Sequence, residues 1–104
     1  KKVIFWKEKK RLFLPLVLVI FLILIEEVRD ALKKAAFETN SCFWDMYLNM
    51  GGENSIIDWS KKTPSLAARD YIHFTNKGAR EIADLFIEDL MNDFKNYLEY
   101  KNEN

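Results

Sequence analysis

The pattern of hydrophobic and polar positions divides the chain into two parts. Residues 12–25, LFLPLVLVIFLILI, contain no polar side chain, whereas residues 26–104 mix apolar and polar positions as a folded domain does. A basic cluster at residues 7–11 precedes the apolar run. A helix needs about twenty apolar residues to cross a bilayer, so the run is short for a stable span but suits a signal-like segment or a marginal anchor.

Three interpretations of the leader, residues 1–25, stay open. As an uncleaved anchor, it would associate with the membrane through residues 12–25 and direct residues 26–104 outward, because basic flanks stay in the cytoplasm and no small-residue cleavage site follows. An extracytoplasmic or membrane-anchored location would result. The run also fits a buried parallel strand, because strands that are buried on both faces consist of continuous Val, Ile and Leu. As an out-of-frame segment, it would lack the consistent patterning of folded sequences, as this run does.

The second part predicts a helix, a strand, a loop and another helix. Helical spacing of apolar residues, with acids first and lysines later, indicates an amphipathic helix within residues 26–39. Residues 41–46, SCFWDM, are short and aromatic and lie between polar stretches, which favours a buried strand. Glycines and a proline punctuate residues 46–66, so this stretch is expected to be irregular with a helical turn or two.

The last predicted element is a long amphipathic helix from about residue 76 to about residue 98, with Thr75 as its N-cap. Its charged face is an ordinary solvated surface. Helix, strand, loop and helix together predict an α/β layered domain. The apolar face of the long helix carries Ala79, Ile82, Ala83, Phe86, Leu90 and Phe94.

Composition removes several classes of function. Sixteen basic and sixteen acidic side chains cancel, so no long-range field favours nucleic acid as a partner. One cysteine and one histidine provide neither a disulfide framework nor a zinc cluster, and no metal or cofactor is expected. Because Cys42 lies in the apolar SCFWDM run, we expect a buried, inert thiol.

The candidate chemistry lies in the pair Asp70 and His73. In a turn, a carboxylate at position i can reach Nδ1 of an imidazole at i+3, fix its tautomer and leave Nε2 as a general base. Thr75 would then fix the start of the following helix, and Gly78 would permit close approach of backbone or substrate. The spacing also recurs by chance, and a histidine between aromatic residues is often a hydrogen-bonded structural residue.

Residues 70–86, DYIHFTNKGAREIADLF, resemble the last conserved block of the SGNH/GDSL serine hydrolases. Residues 43–59, FWDMYLNMGGENSIIDW, also resemble the stretch before that block in one bacterial branch of the family. The resemblance implies that residues 26–104 are the C-terminal portion of a flavodoxin-like three-layer α/β/α domain. It also implies hydrolysis of carboxylic esters, including acyl groups on carbohydrate or cell-envelope polymers.

By the same resemblance, His73 matches the general base and Asp70 matches the acid that orients it. The family's Gly-Asp-Ser nucleophile block and its oxyanion glycine and asparagine blocks have no counterpart in this sequence. The isolated chain is therefore expected to be inactive, with the nucleophile encoded upstream. No nucleophile is assigned among Ser41, Ser55, Ser60 and Ser65, because none has the strand-to-turn setting that activates a hydroxyl.

The alternative function is a non-catalytic, membrane-anchored interaction module. Residues 12–25 would lie in lipid, and the helices would present a binding surface. This alternative draws on the basic flank before the run and on Trp44, Trp59 and Tyr71, provided that these aromatic side chains are exposed.

Overall fold

A computed structural model of the protein describes residue 20 and residues 22–104, and the regular structure of this part is helical. Helix α1 is described over residues 22–38. The chain divides into two compact units, residues 1–43 and residues 44–104. The second unit contains the helices α2 (Met46–Met50), α3 (Ser55–Lys61) and α4 (Asn76–Glu103).

The predicted α/β fold class is wrong. The described residues contain no β-strand, and their strand-like pairing is limited to an isolated antiparallel bridge between Ala67 and Phe74. A three-layer sandwich needs several strands that hydrogen-bond to one another as a central sheet. Residues 26–104 therefore do not form the C-terminal portion of a flavodoxin-like domain.

The amphipathic helix predicted within residues 26–39 is confirmed as α1. Its end is closed by a Schellman motif, in which the Ser41 N–H donates to the Ala36 carbonyl at 2.8 Å and the Asn40 N–H donates to the Phe37 carbonyl at 3.3 Å. Asn40 has a φ of 53°, the left-handed conformation that this motif requires. Asparagine tolerates that conformation better than most residues, which explains why the helix stops here.

The apolar run is described only in part. Residue 20 and residues 22–25 are helical, so the strand interpretation is wrong for them, while residues 12–19 and residue 21 lie outside the described residues. Within the described part, no helix has both the length and the hydropathy needed to cross a bilayer. The anchor and out-of-frame interpretations of residues 1–25 stay predictions.

The strand predicted at residues 41–46 is also wrong. Residues 41–45 have no regular structure, and α2 begins at Met46. The Asp45 carboxylate accepts a hydrogen bond from the Leu48 N–H at 2.9 Å, which is the contact of a helix N-cap. This cap starts a helix where the aromatic composition favoured a strand. Cys42 is exposed rather than buried, because the strand that would have enclosed it does not form.

Two short helices, α2 and α3, surround the Gly51-Gly52 turn and confirm the prediction of an irregular stretch with a helical turn or two. Both glycines have positive φ, 120° and 78°, so the turn uses a backbone conformation that other residues rarely adopt. The Trp59 indole N–H of α3 donates to the Met50 carbonyl of α2 at 3.1 Å. This hydrogen bond ties the two helices together.

The core of the second unit is small and lies around Trp59. This side chain is 5% exposed, and Leu66 and Ala67 are buried beside it. The Trp59 and Phe74 rings meet edge to face with centroids 6.0 Å apart. Partly buried hydrophobic residues complete the cluster: Met50, Ile56, Phe74, Ile82 and Leu85.

The long helix is confirmed as α4, but its packed face differs from the predicted one. Ile82, Leu85 and Asp89 are partly buried, whereas Ala79 and Ala83 are exposed. The helix packs against the rest of the unit at Gly78, which is buried against Leu66. Because of this close approach, the buried face of α4 is rotated about the helix axis relative to the predicted face. The helix exposes large apolar side chains along its length: Phe86, Ile87, Leu90, Met91, Phe94, Tyr97, Leu98 and Tyr100.

Candidate functional site

The candidate site is the loop between the buried Ala67 and helix α4. Three backbone hydrogen bonds close it: the Ala68 N–H donates to the His73 carbonyl at 2.8 Å, the Tyr71 N–H to the Ala68 carbonyl at 3.1 Å, and the Thr75 N–H to the Leu66 carbonyl at 3.1 Å. Both ends of the loop are therefore held beside the core.

The end of the loop is fixed by Thr75, the N-cap that the sequence predicts. Its Oγ1 accepts a hydrogen bond from the Gly78 N–H at 3.1 Å and donates to the Ser65 carbonyl at 2.7 Å. One hydroxyl thus joins the start of α4 to the segment before the loop. The prediction that Thr75 caps this helix is confirmed.

Tyr71 has a φ of 58°, which is unusual for a bulky side chain. The turn at residues 68–71 imposes this conformation, since the Tyr71 N–H is bonded back to Ala68. Strained backbone of this kind is concentrated at functional sites. This conformation could not be predicted from the residue type, because positive φ is expected at glycine or asparagine rather than at tyrosine.

The structure brings Asp70 and His73 together. The Asp70 Oδ2 and the His73 Nδ1 are 2.6 Å apart, so the contact predicted from the i, i+3 spacing is confirmed. The other carboxylate oxygen, Oδ1, accepts hydrogen bonds from the backbone N–H groups of Ile72 at 3.0 Å and His73 at 3.1 Å. The backbone N–H groups thus fix the orientation of the Asp70 carboxylate, and the carboxylate fixes the orientation of the His73 ring.

These hydrogen bonds lower the pKa of Asp70 from its ordinary value of 3.8 to about 2. The bond from the His73 ring is the largest cause, followed by the backbone N–H groups of Ile72 and His73. Asp70 is consequently ionised at neutral pH. Because an ionised carboxylate only accepts hydrogen bonds, the neutral ring carries its proton on Nδ1 and presents an unprotonated Nε2.

The ring of His73 faces solvent. Its side chain is 78% exposed, and within the described part of the chain Nε2 has no hydrogen-bond partner. Ser60 instead donates to the Ile57 carbonyl, and Ser65 to the Ala67 carbonyl. Among residues 22–104, no serine hydroxyl is hydrogen-bonded to His73.

Other predicted features are distributed differently from the expectation. Trp59 is buried in the core, so it is not available as an exposed binding aromatic, and Trp44 and Tyr71 are partly buried. The Trp44 indole N–H donates to the Asp89 carboxylate at 2.7 Å. In the part of the chain that is described, no three His, Cys, Asp or Glu side chains lie close enough together to hold a metal ion.

A cleft of about 740 Å³ lies beside the loop and was not predicted. It is formed by the end of α3 and the segment that leads into the loop. In the sequence, this cleft is indicated only by three nearby basic residues, Lys61, Lys62 and Arg69. The zero net charge of the chain gives no indication of this local positive charge. The polar side chains that line the cleft are Ser60, Lys61, Lys62, Thr63, Ser65, Arg69 and Tyr71.

Comparison with known proteins finds no matching family model, no similar curated protein and no similar solved structure. The resemblance to the SGNH/GDSL hydrolases therefore depends on the quoted residues alone.

Proposed function

We propose that Asp70 and His73 are the orienting acid and the general base of a serine ester hydrolase of the SGNH/GDSL type. The observation that carries this proposal is the 2.6 Å contact between Asp70 Oδ2 and His73 Nδ1, which leaves Nε2 open to solvent. This is the arrangement in which a carboxylate aligns an imidazole for proton transfer. The proposal concerns the loop and does not include the sandwich fold.

The proposed reaction uses a serine hydroxyl supplied from outside the described residues. His73 Nε2 takes the hydroxyl proton as the serine oxygen attacks the ester carbonyl carbon, and Asp70 stabilises the imidazolium that forms. The ring then gives the proton to the leaving alcohol. Water hydrolyses the acyl-enzyme through the same proton transfers, so the products are an alcohol and a carboxylic acid.

The substrate class follows from the family resemblance alone: an acyl ester, including one carried on a carbohydrate or cell-envelope polymer. The geometry adds that the base is exposed, which suits an ester group carried on a large or extended substrate. No serine of residues 22–104 is hydrogen-bonded to the base. We therefore expect the isolated chain to remain unlabelled by a serine-directed phosphonate probe.

The tautomer of His73 provides a direct test. Because the sequence has a single histidine, the ring signals in a ¹⁵N NMR spectrum need no further assignment. At a pH where the ring is neutral, we expect the proton on Nδ1 and an unprotonated Nε2. A neutral ring with its proton mainly on Nε2 would contradict the proposed role of Asp70.

Catalysis is tested by supplying the serine that the proposal requires. We expect the DNA upstream of this coding sequence, translated in all three frames, to contain a Gly-Asp-Ser block, and the joined polypeptide to hydrolyse p-nitrophenyl acetate. In that polypeptide, His73→Gln should lower kcat by about 10²- to 10⁴-fold. Ile72→Gln places the same side chain at the neighbouring exposed position and should leave kcat within about twofold. Equal activity of the His73→Gln variant would refute the proposal.

A further inference from the structure

The cleft beside the loop has the size of a ligand site. Its volume is about 740 Å³, and sites for small molecules commonly measure about 300–1,000 Å³. It lies within the second unit, between the C-terminal end of α3 and the segment of residues 65–71. The segment is anchored at the core through Leu66 and Ala67, so one wall of the cleft is held in place.

The charge of the cleft differs from that of the whole chain. Lys61, Lys62 and Arg69 line it and no acidic residue does, although the chain as a whole has no net charge. Over residues 22–104, none of these three cations forms an ion pair. Three like charges around one concavity repel each other, and a bound anion would remove that repulsion.

The neighbouring acid does not neutralise this cluster. Asp70 follows Arg69 in the sequence, but it does not line the cleft, and both of its oxygens are engaged in the His73 loop. Lys61 has a second reason for its position, since a cation in the last turn of α3 is favoured by the helix dipole. Lys62 is the C-cap of α3 and shares this explanation, whereas Arg69 lies outside the helix and is the residue most informative about a ligand.

The remaining lining residues suit an oxyanion. Arg69 presents a planar fork of N–H donors that matches a phosphate or a carboxylate group. Thr63 and Tyr71 add hydroxyl groups to the lining, and a hydroxyl can donate a hydrogen bond to an anion. The other two lining hydroxyls are already engaged, Ser60 with the Ile57 carbonyl and Ser65 with the Ala67 carbonyl.

We propose that the cleft lined by Lys61, Lys62 and Arg69 binds a small molecule through a phosphate or carboxylate group. This site goes beyond the proposed hydrolase function, because neither Asp70 nor His73 lines it. Binding of the anion requires no chemistry at the loop, so the two proposals can fail separately.

The test is a titration of the ¹⁵N-labelled protein with inorganic phosphate at constant ionic strength, followed by amide NMR. We expect saturable shifts at residues 61–63 and 69–71. Arg69→Gln and Lys62→Gln should each weaken the affinity by about tenfold, as loss of one charge-assisted contact predicts. Lys95→Gln, at an exposed position of α4 outside the cleft, should leave it within about twofold, and so should His73→Gln.

Further arms identify the source of the anion. Tighter binding of pyrophosphate than of citrate would assign a phosphorylated ligand, and the reverse would assign a carboxylate. Arg69→Lys, which retains the charge and lacks the fork, should bind with intermediate affinity and guards against misfolding of Arg69→Gln. Shifts that rise linearly without saturation, or an affinity unchanged in folded Arg69→Gln and Lys62→Gln, would overturn the proposal.

Discussion

Replacing Gly78 by alanine tests the contact that holds the candidate loop against α4. A Cβ atom at this position would lie 2.7 Å from the Leu66 carbonyl carbon and would overlap the carbonyl oxygen. These are backbone atoms, so they cannot move aside as the tip of a flexible side chain can. The Leu66 carbonyl also accepts the Thr75 N–H, and any displacement therefore disturbs the loop closure.

The expected magnitude comes from two opposing effects. Overpacking against a fixed neighbour costs about 1–3 kcal/mol, and the backbone contact places this site at the upper end. Alanine is favoured over glycine in a helix by up to about 1 kcal/mol, with less gain in the first turn. The net loss in the free energy of unfolding is about 2 kcal/mol, which corresponds to a fall in Tm of about 8–16 °C for a domain of this size.

Urea denaturation followed by tryptophan fluorescence, to which the buried Trp59 contributes, measures this loss. Gly52→Ala makes the same chemical change where the nearest atom to the new Cβ is 3.9 Å away, so it isolates the penalty of positive φ, about 1 kcal/mol. Lys77→Ala, at an exposed neighbour of Gly78, should stay within about 0.5 kcal/mol of the wild type. A Gly78→Ala protein as stable as the wild type would refute the close approach of α4 to Leu66.

Three further predictions concern the loop. Thr75→Ala removes the helix cap and the hydrogen bond to the Ser65 carbonyl, so it should lower the free energy of unfolding by about 1–2 kcal/mol in the same urea assay. Thr75→Ser keeps the hydroxyl group and should lose less than half of that free energy. A ¹³C NMR titration of the Asp70 carboxyl should have its midpoint near 2. His73→Ala should raise this midpoint toward 3.8 without reaching that value, because the backbone donors remain. Midpoints of 3.8 in both proteins would contradict the hydrogen-bond network. Because the pKa of Asp70 is lower in the folded protein, the stability that this carboxylate contributes is complete above pH 3.8 and is lost as the pH falls through about 2.

The helices α1 and α4 could be predicted because their signals are local. An apolar residue every three or four positions specifies a helix whatever packs against it. The strand at residues 41–46 could not be judged in the same way, because a short aromatic run fits a buried strand or a helix start equally well. The hydrogen bond from the Leu48 N–H to the Asp45 carboxylate stabilises the helix start. A strand would have needed a partner strand, and the described residues contain none.

The packed face of α4 depended on contacts distant in sequence. The Trp44 ring meets the Phe86 ring edge to face at 5.2 Å and bonds to Asp89, 45 positions along the chain. Neither contact has a periodic signature. The close approach at Gly78 likewise depends on where Leu66 lies, so the rotation of the buried stripe could not be predicted from the pattern.

The candidate site was predicted where its geometry is local and missed where it is not. Asp70 and His73 are three residues apart, and a turn is enough to join them. The cleft depends on how the end of α3 meets the segment before the loop, which brings Lys61 and Arg69 to one surface. The positive φ of Tyr71 accompanies the hydrogen-bonded turn at residues 68–71 and is not indicated by its residue type.

The contact between Asp70 and His73 is formed within the loop of residues 66–75. The loop's hydrogen bonds join Leu66 to Thr75 and Ala68 to His73, and no strand of a sheet is required to hold them. The aim of the imidazole is thus encoded within ten consecutive residues. The ends of the segment are held from outside it, because the Trp59 carbonyl accepts the Leu66 N–H at 2.9 Å and the Ser65 carbonyl accepts the Thr75 hydroxyl at 2.7 Å. A scaffold that received the segment would have to supply both acceptors to preserve the direction of the ring.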